Sequence, residues 1–320
     1  MNILVIGCGI SGLTTALCLL QAGHMVRIWA SDLPPHTTSN AAAAVWYPYK
    51  AHPVDRVTNW GKIAFQKFKE LQSVEGSGIL MSNVLEFKPV PSPDPWWVKA
   101  VDGFRHATAG ELPPGYADGY AFQAPVIDTR IHLDYLQRNF LAQSGQIEQR
   151  TISDLAEAFA QCAVVVNCSG LGARQLVGDR DLHAARGQVV RIKHNGFRRV
   201  LLDEEGPNKL AYIVPRTYDI ILGGTYDEQN ESLEPDPEQT QAILHRCANL
   251  APEFVSISPE DILDVYCGVR PVRSRVRVEA ERIAPGRLLV HNYGHGGAGI
   301  TLSWGCAAEV VELIEKSISV

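Results

Sequence analysis

The sequence predicts an α/β fold: a parallel sheet with helices on both faces, interrupted by a second region on a mixed or antiparallel sheet. Three observations favour it. An apolar run at Ile3–Ile6 leads through a glycine turn into a helical pattern at Leu13–Gln21. A second apolar run at Ala163–Gly170 has the composition of a fully buried parallel strand. A third at Leu288–Asn292 leads into a second glycine turn and a C-terminal helix.

The first glycine turn has the spacing Gly7-x-Gly9-x-x-Gly12 between a strand and a helix. Gly7 suits a tight turn, Gly9 allows close approach of a pyrophosphate, and Gly12 allows the helix to pack near the strand. The N–H groups at the start of the helix attract phosphate. Asp32 follows Gly7 by 25 residues, slightly beyond the usual spacing of a ribose-binding acid. Dinucleotide binding is predicted; an ordinary βα turn that needs small residues is the alternative.

Composition and charge exclude several functional classes. The chain has 320 residues, 46% hydrophobic and 20% charged, with a net charge of −6. There is no long basic run, so no nucleic-acid partner is expected. We find no stretch of roughly 18 apolar residues and no room for a signal peptide, so we expect a cytoplasmic protein without a membrane span. Seven scattered cysteines, without CxxC, are expected to be buried thiols.

No metal site is expected. His291 and His295 are four residues apart, but the glycines around His295 disfavour a helix that would align the two rings.

The remaining chain divides into recognisable segments. Residues 39–46 are small and alanine-rich, which suggests a helix start facing phosphate or a plain N-cap. Residues 73–125, rich in Pro and Gly, suggest short strands and loops of the second region. Further helices are predicted at Val57–Gln72, Arg130–Ala142, Pro237–Ala251 and Thr301–Ile318, and further strands at Met25–Trp29, Arg186–Ile192, Ala211–Pro215 and Asp219–Gly223.

Four segments together resemble the D-amino-acid oxidase family of FAD enzymes, over nearly the whole chain. They are the glycine turn at 7–12, Val-Trp-Tyr-Pro-Tyr at 45–49, Gly-Val-Arg-Pro-Val-Arg at 268–273 and His-Asn-Tyr-Gly-His-Gly-Gly-Ala-Gly-Ile-Thr at 291–301. The resemblance implies a Rossmann-like FAD-binding domain of the glutathione-reductase type. This domain is interleaved with an α+β substrate domain built on a mixed or antiparallel sheet.

The resemblance also implies approximate domain boundaries. Residues 1–50, 130–180 and 288–320 are expected to form the discontinuous FAD-binding domain. Residues 51–129 and 181–287 are expected to form the substrate-binding domain.

The residues that the resemblance assigns to FAD fall into four groups. The pyrophosphate is held by the first glycine turn, formed by Gly7, Gly9, Ile10, Ser11 and Gly12. The hydroxyls of Thr38 and Ser39 lie where they meet the phosphates, and Ser31 and Asp32 lie where the adenosine ribose is held. Near the adenine or the ribityl chain lie Ile152 and Ser169. Past the flavin pyrimidine edge run Gly296, Gly297, Gly299, Ile300 and Thr301.

The resemblance assigns the substrate carboxylate to Arg270 and to the Tyr212 hydroxyl, in keeping with the bidentate geometry of a guanidinium. Tyr226 matches the second tyrosine of fungal-type members. Mammalian-type members carry theirs four residues before the first, where this chain has Asn208, so a mammalian-style lid is not expected. The carbonyl of Gly297 is expected to accept a hydrogen bond from the substrate amine.

The implied specificity is for neutral or aromatic side chains, because Tyr47, Tyr49, Leu202 and Tyr226 would line the pocket. Tyr49 stands where enzymes for D-aspartate have a histidine, and Leu202 stands near where they have an arginine. An unpaired acidic side chain would lose its hydration there without compensation. A misalignment that brought Arg198 or Arg199 into the pocket would reverse this expectation.

The implied reaction is oxidative deamination by hydride transfer from the D-amino acid to flavin N5. The products are a 2-oxo acid, ammonia and hydrogen peroxide, with O₂ as the second substrate and a homodimer as a possible assembly. No acid–base residue is assigned, because positioning and electrostatics suffice when the amine is neutral. D-aspartate or glycine oxidase activity on the same fold, a nicotinamide-dependent dehydrogenase and an inactive flavin-binding protein remain as alternatives.

Overall fold

The computed structural model describes residues 1–318, and within that range fourteen strands join in one mixed β-sheet. In chain order the strands are β1 (Asn2–Ile6), β2 (Met25–Ala30), β3 (Ile79–Lys88), β4 (Asp102–His106), β5 (Asp118–Ile127), β6 (Gln146–Gln149), β7 (Val164–Asn167), β8 (His183–Lys193), β9 (Val200–Asp203), β10 (Ala211–Pro215), β11 (Asp219–Gly223), β12 (Asp227–Glu228), β13 (Ile262–Ala284) and β14 (Arg287–His295). The α-helices are α1 (Ile10–Gln21), α2 (Val54–Leu71), α3 (Thr129–Ala142), α4 (Leu155–Phe159), α5 (Ala173–Leu176), α6 (Pro237–Leu250) and α7 (Gly299–Ile318). The last two residues of the predicted segment 288–320 lie outside the described residues.

One end of the sheet is parallel, in the order β14-β7-β1-β2-β6. β1 and β7 lie in its middle and are buried almost throughout, because helices cover both faces. On one face α1 packs against α3 and α7. On the other face α4 packs its Ala158 and Phe159 against Leu4 and Val165. This section is the predicted doubly wound sheet.

Helix α7 is apolar because it is a core element. Within the described residues, the segment Gly296–Ile318 is long and apolar enough to cross a membrane, but 61% of its most apolar window is buried inside the protein. It packs against α1, α2 and β14. Such burial accounts for its composition without a membrane.

The other end of the sheet is mostly antiparallel, in the order β4-β5-β3-β9-β10-β11-β8-β13, with β3 and β9 parallel. Helix α6 covers one face with Ile243, Cys247 and Leu250 in a separate apolar core. The 23-residue strand β13 pairs with β8 along its first part and with β14 along its second. This strand therefore joins the two ends, and the predicted mixed α/β fold is confirmed.

Two segments differ from their predictions. Residues 73–125 were predicted as short strands, yet β3 and β5 have ten residues each and pair along their whole length. The Pro- and Gly-rich residues on which that prediction rested lie mostly between β3 and β5. A helix start was predicted at 39–46, but the helical turn there ends at Ala41. Ala44 and Trp46 instead hydrogen-bond to the backbone of β5, and this pairing outweighs the helix propensity of the alanines.

Candidate active site

A cavity of about 790 Å³ lies where the parallel and antiparallel parts of the sheet meet. It falls within the size range of ligand sites. Its walls contain all but two of the predicted site residues: Gly7, Gly9, Ile10, Ser11, Ser31, Asp32, Thr38, Ser39, Tyr49, Ile152, Ser169, Leu202, Tyr212, Arg270, Gly296, Gly297, Gly299, Ile300 and Thr301. The other two, Gly12 and Tyr226, pack against lining residues.

The glycine turn at the end of β1 leaves no room for side chains. Gly7 has φ of +111°, and a Cβ there would lie 2.4 Å from the carbonyl oxygen of Cys168 at the end of β7. A Cβ on Gly12 would lie 1.9 Å from the carbonyl oxygen of Gly7. Gly7 therefore allows β1 and β7 to lie close together, and Gly12 allows α1 to begin directly behind the turn.

The start of α1 can accept an anion. Gly9 provides no side-chain cap, and the first turn contains no acidic residue. The amide of Ile10 donates to Ser39 Oγ at 3.0 Å, and Thr38 and Ser39 belong to the helical turn that faces α1 across the cavity. The first-turn amides that follow Ile10, the helix dipole and the hydroxyls of Thr38 and Ser39 are the kind of donor set that a pyrophosphate requires. The residues present therefore fit the phosphates of a dinucleotide.

Polar groups surround the far end of the nucleotide region. Ser31 Oγ donates to Asp32 Oδ2 at 2.7 Å, and Gln149 Nε2 donates to the Ser31 carbonyl oxygen at 2.9 Å. Arg150 lies over the Trp29 ring, 4.3 Å from its centre, and also lines the cavity. No local sequence pattern marks Arg150, because its position at the cavity depends on the pairing of β6 with β2.

The second glycine turn joins α7 to the segment 45–49. Gly296–Ala298 form a short helical turn before α7. Thr301 Oγ1 accepts from the Tyr47 amide at 3.1 Å and donates to the Tyr47 carbonyl oxygen at 2.9 Å. A Cβ on Gly297 would lie 2.7 Å from Tyr49 Cδ1. Two sequence motifs almost 250 residues apart therefore form one wall of the cavity.

Arg270 is the cation in the part of the cavity where the sequence predicts substrate binding, which we call the substrate end. It lies half-buried on β13, and its Nη1 donates to the Thr225 carbonyl oxygen at 3.2 Å. A Cβ on Gly187 of the neighbouring strand would lie 2.4 Å from Nη1, so a glycine there is needed to admit the guanidinium. Among residues 1–318 no carboxylate lies within 4.0 Å of Arg270. A half-buried guanidinium without a carboxylate partner can bind one from a ligand.

Tyr212 presents a protonated hydroxyl beside this cation. Its ring lies over the backbone of β11, where a Cβ on Gly223 would meet Tyr212 Cζ at 2.0 Å. Burial raises the pKa of Tyr212 to about 12, although nearby Arg270 lowers it in part. The hydroxyl therefore remains a hydrogen-bond donor at any physiological pH.

Tyr226 lies behind the cavity wall and not within it. Its ring makes an edge contact with Tyr49, with the ring centres 6.4 Å apart. The Arg270 guanidinium lies 5.6 Å from its centre, and the exposed Lys50 ammonium lies 4.3 Å from it. Tyr226 thus packs against both Tyr49 and Arg270, which line the cavity.

The loop after β9 is a fixed turn. Asp203 accepts hydrogen bonds from the amides of Gly206 and Asn208 and from the Tyr116 hydroxyl. The side chain of Asn208 donates to Tyr116 at 3.1 Å and is buried. Asn208, which stands where mammalian-type members have their second tyrosine, is therefore part of a packed turn.

The side-chain end of the cavity contains a group that sequence reasoning missed. Leu202 and Glu204 both line it, whereas Arg198 and Arg199 are exposed and do not. Burial, together with nearby Glu86 and Glu205, raises the pKa of Glu204 to about 8. Only the register of β9 against β10, which brings Leu202 opposite Tyr212, shows that this loop faces the cavity.

His295 also lines the cavity but is uncharged. Burial lowers its pKa to about 4, and its Nε2 lies 3.1 Å from Asn292 Oδ1. An imidazole in this state offers no positive charge to the site.

Comparison with known proteins agrees with this geometry. Residues 2–313 match the family described as FAD dependent oxidoreductase. The chain is 44% identical to the D-amino-acid oxidase of Rubrobacter xylanophilus, over 98% of this chain and 96% of that protein. It is 35% identical to the D-aspartate oxidase of Homo sapiens, over 99% and 95%. The glycine oxidase structure from Geobacillus kaustophilus has the same fold, with a TM-score of 0.80 at 17% identity, covering 98% of this chain and 94% of that one.

Proposed function

This chain belongs to the FAD-dependent oxidoreductase family, and on that premise we propose that it is a D-amino-acid oxidase. One observation carries the proposal: in the cavity, Arg270 has no carboxylate partner among the described residues and lies beside the protonated hydroxyl of Tyr212. An α-carboxylate would supply that partner. The family membership excludes the nicotinamide-dependent alternative.

The substrate is held by its carboxylate and its amine. Arg270 binds the carboxylate in bidentate geometry, Tyr212 donates to it, and the Gly297 carbonyl accepts from the amine. The Tyr49 ring lies against Gly297 and forms a further wall of this part of the cavity. With both ends of the amino acid fixed, only one enantiomer presents its Cα–H to the cofactor side of the cavity.

FAD, when bound, would supply the two-electron acceptor for the hydride from Cα; with O₂ as the final oxidant and water as the hydrolytic reactant, the products would be hydrogen peroxide, a 2-oxo acid and ammonia. The chain's own residues bind and orient the substrate. His295 is a weak base, because burial lowers its pKa to about 4, and we assign it no proton transfer. Positioning of a neutral amine therefore carries the catalysis.

D-aspartate is disfavoured as a substrate. No described arginine other than Arg270 and Arg150 lines the cavity, and Arg150 belongs to the nucleotide end. Glu204 lines the cavity and offers no positive charge, so a second carboxylate would lose its hydration there without compensation. Neutral D-amino acids therefore fit better than acidic ones.

Peroxide release tests the proposal. The FAD-loaded protein is assayed with D-alanine, D-phenylalanine and D-aspartate beside their L-enantiomers, and Arg270→Gln is compared with Arg275→Gln, an exposed arginine on the same strand. We expect peroxide from the neutral D-substrates and its loss in Arg270→Gln only. Turnover mainly of D-aspartate, or equal activity in the two variants, would contradict the proposal.

We also propose a cytoplasmic location, a homodimer and the domain boundaries given above. All seven cysteines are unpaired, which supports a reducing compartment. The homodimer rests on the family resemblance alone. Light scattering of the purified protein and fractionation of the host cell would test the assembly and the location.

A further inference from the structure

We propose that Glu204 is a specificity-determining residue that admits D-amino acids with cationic side chains, such as D-lysine and D-arginine, and rejects acidic ones. The inference rests on the proposed D-amino-acid oxidase activity and adds a substrate class to it.

Glu204 and Arg270 are two charged groups of the same cavity. Both line the cavity, and both act on Tyr49: Glu204 raises the pKa of Tyr49, whereas Arg270 lowers it. The cations that lower the pKa of Glu204 are Lys88 and Lys50. Leu202, two residues before Glu204, lies opposite Tyr212 across β9 and β10. The loop that carries Glu204 therefore borders the part of the cavity where the substrate carboxylate would bind, and Glu204 is within reach of the side chain of a bound amino acid.

The Glu204 carboxyl has no partner of its own. Among residues 1–318 it makes no hydrogen bond, and no cation lies within 4.0 Å of it. The Lys88 ammonium instead contacts Glu86 at 2.6 Å and Glu205 at 3.9 Å. A half-buried carboxylate without a cation is costly, so a cationic side chain would be stabilised there.

The surrounding turn fixes the position of Glu204. Asp203, the residue before it, accepts from the amides of Glu205, Gly206 and Asn208 at 3.1, 2.6 and 2.8 Å. The Tyr116 hydroxyl completes this set. Little ordering of the loop is then required when a substrate binds, which favours discrimination by charge.

Protonation of Glu204 makes the preference depend on pH. With its pKa raised to about 8, the carboxyl is mostly neutral near pH 7 and accepts uncharged side chains. It ionises as the pH rises through that value, and a cationic side chain then gains a charged partner. Preference for cationic over neutral substrates should therefore increase with pH.

D-lysine and D-norleucine test this, because their side chains differ only by the terminal ammonium. The ratio of their kcat/KM values is measured in wild type, in Glu204→Gln and in Glu205→Gln, which removes the neighbouring exposed carboxylate. We expect the wild-type ratio to rise about tenfold between about pH 6.5 and pH 9. Glu204→Gln should lower it about tenfold at the upper pH, and Glu205→Gln should not. Dividing the wild-type by the Glu204→Gln ratio removes the titration of the substrate's own amine.

A ratio that is flat with pH in wild type and equal in all three proteins would overturn the role of Glu204. If Glu204→Gln does not fold, Glu204→Ala takes its place in the same division. Absence of peroxide from every D-amino acid would instead contradict the proposed function, so the two failures are distinguishable.

Discussion

The Tyr212 ring lies directly against the backbone of Gly223, where a Cβ would come within 2.0 Å of Tyr212 Cζ. The two residues are paired across β10 and β11. Gly223→Ala should displace the ring and the hydroxyl that meets the substrate carboxylate. We expect kcat/KM for D-alanine to fall by about tenfold or more, mainly through KM. Steady-state kinetics would show this, with Gly110→Ala as the control because nothing lies within 4 Å of its Cβ position.

Arg270→Lys should fail to replace the arginine. A lysine keeps the positive charge but cannot form two parallel hydrogen bonds with a carboxylate. We expect kcat/KM for neutral D-amino acids to fall by about 100-fold, equivalent to about 3 kcal/mol. Retained activity in Arg270→Lys would mean that charge alone anchors the substrate.

Gly12→Ala should weaken FAD binding. Its Cβ would lie 1.9 Å from the Gly7 carbonyl oxygen, so α1 and the turn would have to move apart. The helix start would then no longer be aimed at the pyrophosphate. Flavin absorbance of the purified protein and its dissociation constant for FAD would report the loss. Binding equal to that of Gly110→Ala would show that the turn tolerates the shift.

His132 should make the fold less stable in acid. Burial lowers its pKa to about 4, and its Nδ1 lies 2.8 Å from the Ser77 carbonyl oxygen. Because the folded-state pKa is below that of the unfolded chain, stability is full above about pH 6.5 and is lost as the pH falls toward 4. At pH 5 the titration of His132 lowers the free energy of unfolding by about 2 kcal/mol.

Denaturant unfolding of wild type and His132→Gln at several pH values would test this. Between about pH 7 and pH 5 the free energy of unfolding should fall less in His132→Gln than in wild type. The exposed His245→Gln serves as the control. An unchanged decline in His132→Gln would assign the acid sensitivity to other groups.

The nucleotide-binding part of the site could be predicted from the sequence alone, because its signals are local. Gly7, Gly9 and Gly12 act within one turn between β1 and α1, and the helix after them carries its own dipole. The motif around Arg270 predicted a carboxylate anchor through its resemblance to the family. Apolar runs such as Val164–Asn167 predicted parallel strands, since a strand covered on both faces is apolar throughout.

Which distant residues meet around Arg270 and Tyr212 depends on the tertiary fold. Gly187 makes room for Arg270, and Gly223 for Tyr212, across strands whose register no local pattern encodes. Glu204 reads as an ordinary loop carboxylate in the sequence. Its place in the cavity wall results from the pairing of β9 with β10, because desolvation and charge at a site depend on which chain segments surround it, not on its neighbours in sequence.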